Sequence, residues 1–131
     1  MRKRYFKDTA YTNAKFTVDT PSWFIAFYDS LSKRETFSQK TGAIIESTGK
    51  SREYVCRLFK KTTGITIGVY LNDIRIEHAT AMLTTTNDPI IDIALESGFQ
   101  SIRNFNNAFR LKFGISPSEY KRNRTTISET R

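Results

Sequence analysis

The residues of this chain best equipped for chemistry are cations, and they are gathered rather than spread. Lys50, Arg52, Arg57, Lys60 and Lys61 fall within residues 50–61 against a single acid, Glu53. Arg103, Arg110, Lys112, Lys121, Arg122 and Arg124 fall within residues 101–124 against Glu119. Between them, residues 62–100 hold Arg75 against Asp73, Glu77, Asp88, Asp92 and Glu96. Clustered Lys and Arg neutralise the phosphates of a polyanion and release its counterions. Two basic segments around an acidic one therefore predict two contact surfaces for nucleic acid, not a generally basic coat. The formal charge of +8, from 21 basic and 13 acidic side chains in 131 residues, fits that reading. The competing readings are an anionic membrane surface and a basic protein with no polyanionic partner.

Catalytic and metal chemistry find little to use. Gly49-Lys50-Ser51 has the ending of a phosphate-binding loop. That loop needs a glycine five residues before Gly49; the residue there is Ile44, and Gly42 stands two residues too early. Cys56 is the only cysteine and His78 the only histidine, so neither an intrachain disulfide nor a structural zinc site can be built. His78 is expected to be packed, not a ligand. No serine has a base near it in sequence. The expectation is a protein that is not an enzyme and needs no cofactor or metal. No apolar run approaches the roughly 18 residues that span a bilayer. The charged start, Met1-Arg2-Lys3-Arg4, has no apolar stretch behind it. No membrane association is expected, and the cytoplasm is the expected compartment.

The elements that must position these cations are helices. Thr20-Pro21 predicts a helix start, a capping hydroxyl before a proline, with Trp23, Phe24, Phe27, Tyr28 and Leu31 as the stripe of a helix over about 21–32. After a polar stretch, a short helix over about 41–48 turns Ile44 and Ile45 inward. Ser51 caps the next, whose stripe is Tyr54, Val55, Leu58 and Phe59 and whose stop is Gly64. A linker helix follows over about 66–83. Asp88-Pro89 starts another short helix, and Ser101 caps one with Phe105, Ala108, Phe109 and Phe113 inward and Gly114 as its stop. Ser116-Pro117 opens a last helix to about Arg122. No strand pattern competes. The fold class expected is all-α, with about seven helices. Residues 1–20 read as a linker or N-terminal tail and 124–131 as a polar, frayed tail.

Part of the chain occurs twice. At an offset of 50, Ser101, Phe109, Gly114, Ile115 and Tyr120 fall on Ser51, Phe59, Gly64, Ile65 and Tyr70, and Arg110 falls on Lys60. Upstream the offset is 49, with Gly98 on Gly49 and Ile93 on Ile44. The difference lies in the turn, Gly49-Lys50-Ser51 against Gly98-Phe99-Gln100-Ser101, where an insertion is tolerated. Each copy reads short helix, glycine turn, serine-capped helix, glycine stop. That is a helix-turn-helix, in which the second helix enters the DNA major groove. A duplicated helical hairpin with no DNA role has the same pattern. It does not account for the basic charge falling on both second helices.

In order and spacing these motifs resemble the AraC/XylS family of bacterial transcription regulators. The resemblance covers about residues 41–123. It is carried by Gly49-Lys50-Ser51-Arg52-Glu53-Tyr54-Val55-Cys56-Arg57-Leu58-Phe59, by Tyr70-Leu71-Asn72-Asp73-Ile74-Arg75, by Ile93-Ala94-Leu95-Glu96-Ser97-Gly98-Phe99, and by Phe113-Gly114-Ile115-Ser116-Pro117-Ser118-Glu119-Tyr120. It implies a DNA-binding domain over 21–123, with a first helix-turn-helix at about 41–64 and a second at about 89–114. Recognition helices 51–63 and 101–113 would read adjacent major grooves of double-stranded DNA. A linker of 18 residues (66–83) spans about 27 Å at 1.5 Å per residue, against roughly 34 Å between successive grooves.

Carried over residue by residue, the family's base-facing positions are Glu53, Cys56 and Arg57 in the first unit and Ile102, Arg103, Asn106 and Asn107 in the second. Arg suits the guanine edge and Asn the adenine edge, each through two hydrogen bonds. Glu53 can accept from cytosine or repel phosphate. Cys56 and Ile102 depart from the long polar residues often found there. Phosphate positioning falls to Arg52, Lys60, Lys61, Ser101, Arg110 and Lys112. Family members often carry a separate effector-binding or dimerising N-terminal domain. This chain has no room for one, so an effector domain is expected to be absent from it. Two other roles stay open: an architectural protein that binds DNA by charge alone, and an activator whose helices also contact RNA polymerase.

Overall fold

The computed structural model describes residues 15–130, with side chains described through residue 123. Most of the expected N-terminal tail therefore lies outside the described residues, as do the side chains of the expected C-terminal tail. Eight helices and no strand are found among the described residues: α1 (Ser22–Ser30), α2 (Arg34–Phe37), α3 (Thr41–Glu46), α4 (Arg52–Thr63), α5 (Ile67–Thr85), α6 (Ile90–Glu96), α7 (Ile102–Phe113) and α8 (Pro117–Thr130). The additional helix is α2, in the stretch read as polar. It is a single turn that exists because Phe37 is buried. The last helix runs past Arg122 to Thr130.

The chain divides into two compact units, Met1–Ile74 and Arg75–Arg131. In the first, Phe24, Leu31, Ile44, Val55, Phe59 and Leu71 are sealed from solvent. Aromatic rings dominate. Phe59 lies 6.2 Å from Phe24 and 5.3 Å from Tyr70, and Tyr28 lies 5.4 Å from Tyr70. Burial pushes the Tyr28 hydroxyl above its usual range, against a smaller opposing effect of its hydrogen bond with Tyr70. Residues ahead of α1 join this core: Phe16 meets Tyr28 edge-on at 5.3 Å, and the Lys15 N–H donates to the Thr62 carbonyl at 2.9 Å.

The second unit closes on Ile76, Ala79, Leu83, Ile93, Ala94, Phe99, Phe105 and Phe109. Helix α5 supplies Ile67, Tyr70, Leu71 and Ile74 to the first core and Ile76, Ala79 and Leu83 to the second. The step from Ile74 to Ile76 breaks the three-and-four spacing of a single stripe. Beside that step Arg75 is buried, and burial lowers its pKa. His78 is half-buried; its Nδ1 lies 2.9 Å from the hydroxyl of Ser97, itself fully buried at the end of the second bracing segment.

The start signals resolve differently. Thr20 does not cap α1: its hydroxyl accepts from the Thr17 N–H at 2.9 Å, and Pro21 precedes the helix without a side-chain cap. Pro89 takes the same uncapped place before α6. At α8 the cap is reciprocal. The Glu119 N–H donates to the Ser116 hydroxyl and the Ser116 N–H to the Glu119 carboxylate, each at 3.1 Å. This capping box satisfies two backbone donors that would otherwise be orphaned. The Ser116 N–H, with Arg110 and Arg122 nearby, holds the Glu119 carboxyl below its ordinary pKa.

Candidate nucleic-acid interface

Helices α4 and α7 are fixed at their ends by the same device. The Ser51 hydroxyl accepts from the Tyr54 N–H at 3.2 Å, and the Ser101 hydroxyl accepts from the Asn104 N–H at 3.1 Å. Each cap stabilises its helix by about 1 kcal/mol. At the far ends Gly64 and Gly114 adopt φ of 87° and 80°, the left-handed conformation that ends a helix.

Between those ends, each helix buries one face and exposes the other. In α4 the buried residues are Val55, Phe59, Thr62 and Thr63. Opposite them, at helical spacing, stand Glu53, Arg57, Lys60 and Lys61, all exposed. In α7 the buried residues are Phe105 and Phe109, and Arg103, Asn107, Arg110, Leu111 and Lys112 are exposed. The bracing helices carry the other sign: α3 ends in Glu46, and α6 carries Asp92 and Glu96. Charge is thus segregated in each unit between a brace and a helix that faces outward. A cationic helix with side chains exposed on one face fits the major groove of B-DNA, about 12 Å wide.

The expected base-facing residues divide. Glu53, Arg57, Arg103 and Asn107 project to solvent, and Asn106 is half-exposed. Cys56 packs partly against the first core and Ile102 against the second. These two sit at the margin of the exposed face, and part of each side chain is spent on packing. Of the expected phosphate residues, Lys60, Lys61, Arg110 and Lys112 lie exposed in the last turns of their helices. Arg52 leans back toward α3, with a guanidinium nitrogen 3.9 Å from where a Cβ on Gly42 would sit. The Ser101 hydroxyl oxygen accepts the cap hydrogen bond, which leaves its O–H to donate.

Two features of these faces escaped the sequence reading. Tyr54, counted as part of the buried stripe of α4, is exposed. It lies 5.8 Å from Trp23 of α1, with the Arg57 guanidinium 6.0 Å from the Tyr54 ring and the Lys50 ammonium 5.4 Å from the Trp23 ring. The lysine rejected as part of a phosphate loop thus lies over an aromatic ring. The second feature is Leu111, 89% exposed on the outward face of α7. Leu111 interrupts a polar run and was open to view in the sequence. The Trp23–Tyr54 pairing was not, since it joins residues 31 positions apart (54 − 23).

Comparison with known proteins gives this arrangement a family. A family of helix-turn-helix domains matches residues 44–123. The Regulatory protein SoxS of Escherichia coli is 36% identical over 78 residues, covering 60% of this chain and 73% of SoxS. The Transposon Tn10 TetD protein of Escherichia coli is 36% identical over 81 residues, 62% of this chain but only 59% of TetD. Among solved structures, the C-terminal domain of AraT, a response regulator from Geobacillus stearothermophilus, superimposes with a TM-score of 0.68 at 28% identity, covering 79% of this chain and 86% of that one. The chain belongs to the AraC-type family of helix-turn-helix transcription regulators, and residues 44–123 match its DNA-binding domain.

Proposed function

We propose that this protein binds double-stranded DNA sequence-specifically in the bacterial cytoplasm, with α4 and α7 reading adjacent major grooves. The observation that carries this is the pairing of two capped helices, each with its core on one face and charged or amide side chains on the other. Arg57, Arg103, Asn106 and Asn107 read base edges, Glu53 restricts the choice of base, and Cys56 and Ile102 offer their exposed edges to thymine methyls. Lys60, Lys61, Arg110 and Lys112, with Arg52 and Ser101 near the helix starts, set the register on phosphates. Helix α5, 19 residues long, spans roughly 28 Å at 1.5 Å per residue. That length is of the order of one helical turn of DNA.

Selection of bound DNA from a random-sequence pool at physiological salt tests this reading. The expected result is a bipartite motif with its halves about one helical turn apart. A motif with one half means that a single unit reads bases. No motif at all leaves only architectural binding by charge.

A second role, activation through contact with RNA polymerase, is favoured by α6. There Ile91 and Leu95 are half-exposed one turn apart, and Asp92 and Glu96 beside them are exposed. An acidic and apolar helix face is unsuited to DNA phosphate and suited to a protein carrying basic and apolar groups. The double variant Ile91→Ala/Leu95→Ala is expected to keep DNA affinity and lose activated transcription in a purified system. Full activation by that variant removes the proposal.

A further inference from the structure

Four side chains of the first unit form a continuous row. The Lys50 ammonium stands 5.4 Å from the centre of the Trp23 ring, Trp23 stands 5.8 Å from Tyr54, and the Arg57 guanidinium stands 6.0 Å from Tyr54. Lys50 belongs to the helix-turn-helix turn, Tyr54 and Arg57 to α4, and Trp23 to α1, outside the helix-turn-helix altogether. Trp23 is half-buried against the first core, while Tyr54 is held at the surface. Trp23 therefore has the core behind it, and Tyr54 has Trp23 beside it. An aromatic face attracts a cation through its quadrupole, and a guanidinium also stacks flat on it. A long basic side chain loses rotamer freedom when it grips DNA, and holding it in place beforehand reduces that loss.

We propose that Trp23 and Tyr54 are positioning residues for DNA recognition. Tyr54 presents the Arg57 guanidinium to a base edge, and Trp23 presents Lys50 to a phosphate at the start of α4. This rests on the DNA-reading role proposed above for α4. Among the described residues the second unit has no such row: Asn104 stands where Tyr54 does, and Gln100 precedes the capping serine where Lys50 does. The two halves of the DNA site therefore supply an internal control.

The test measures binding of the full chain to the duplex recovered by selection, to the same duplex substituted at each base pair, and across a salt series. Tyr54→Leu is expected to lower discrimination at the base pair assigned by Arg57→Ala by about two- to fivefold, leaving the second half-site unchanged. Tyr54→Phe retains discrimination, and Tyr54→Leu combined with Arg57→Ala loses no more than Arg57→Ala alone. Lys50→Ala and Trp23→Leu each weaken binding to every sequence and make the salt dependence shallower by about 0.9 in slope; Trp23→Phe restores both.

An equal loss on all sequences for Tyr54→Leu, or a loss that adds to that of Arg57→Ala, overturns the role of Tyr54. A Trp23→Leu loss that adds to that of Lys50→Ala overturns the role of Trp23. Thermal melts accompany each variant, and the two phenylalanine variants carry the test where a leucine variant does not fold. If the unaltered chain shows no preference for the selected duplex over scrambled DNA, the DNA-reading role itself fails. If that preference holds and only the variants disagree, the aromatic row alone fails.

Discussion

Ser51 and Ser101 cap their helices through the same bond, and Gly64 and Gly114 stop them at nearly the same φ. Tyr70 and Tyr120 return to the same place, 5.3 Å from Phe59 and 5.4 Å from Phe109. Around this shared frame the two units part. The first takes Phe24, Phe27, Leu31 and Phe37 from α1, α2 and the turn between them into its core, and its Thr63 is 3% exposed where the counterpart Phe113 keeps 38%. The second draws its described core from α5, α6, α7 and the turn between the last two. It uses the extra residue of its turn instead: Phe99, which has no counterpart in the first unit, enters the core 5.3 Å from Phe105. The outward faces differ as well. Lys61 in the first helix corresponds to Leu111 in the second, and Arg57 to Asn107. A repeat preserves what makes a helix stand and stop, and leaves free what it shows to DNA.

The largest expected effect tests whether the two cores are separate. Phe59→Ala and Phe109→Ala each remove a sealed ring at the same place in the repeat and are expected to cost about 3–5 kcal/mol. Among the described residues the second core has eight buried apolar side chains against twelve in the first. Phe109→Ala should therefore expose α6 and α7 in hydrogen exchange while the amides of α4 stay protected. Equal loss of protection in α4 and α7 would show that the cores melt as one.

Next in size is base reading. Arg103→Ala is expected to weaken specific binding by about 1–3 kcal/mol and to relax preference at one base pair. Lys60→Ala should weaken all sequences alike and make the salt dependence shallower. A uniform loss for Arg103→Ala would assign it to phosphate, and a loss for Lys60→Ala confined to one sequence would assign it to bases.

The stops should behave identically. A Cβ added to Gly64 or Gly114 meets nothing within 4 Å, so the cost of alanine is conformational alone, about 1–2 kcal/mol at either site. Unequal shifts in melting would mean that the frame is not shared. Exchanging a surface residue between the copies acts only on charge. Leu111→Lys is expected to raise affinity for every sequence and steepen the salt slope by about 0.9. No change in slope would place Leu111 away from the phosphates.

Much of this was legible in the sequence because it is local. Serine caps, glycine stops and the three-and-four stripes of α4 and α7 depend on neighbours within a few residues, and the repeat printed them twice. Long-range pairing was not legible. Tyr54 fits an apolar stripe by spacing, yet it lies at the surface beside Trp23 of a distant helix. Cys56 and Ile102 were expected to face bases, yet each packs partly against a core through its own apolar character. Helix α2 was missed because Phe37 alone supplies its burial. Thr20 read as a cap because a hydroxyl before proline is a sound signal, but a tighter turn with Thr17 claimed the same oxygen.

The smallest effect concerns the one cap that the copies do not share. In the first copy Thr66 accepts from the Val69 N–H, and Val69 offers nothing in return. In the second, Glu119 completes the exchange with Ser116. Its carboxyl is held below the ordinary range, first by the Ser116 N–H and then by the positive charges of Arg110 and Arg122. A group whose folded pKa is lowered stabilises the fold above its unfolded pKa, about 4.3 for glutamate. That contribution disappears as pH falls through the lower folded value. The start of α8 should therefore loosen on acidification below about pH 4, and α5 should not loosen through its cap. Glu119→Gln is expected to flatten this part of the pH dependence of melting and to spare the rest. An unchanged acid-side slope in that variant would mean that the box is a geometric coincidence, and that α5 and α8 start on equal terms.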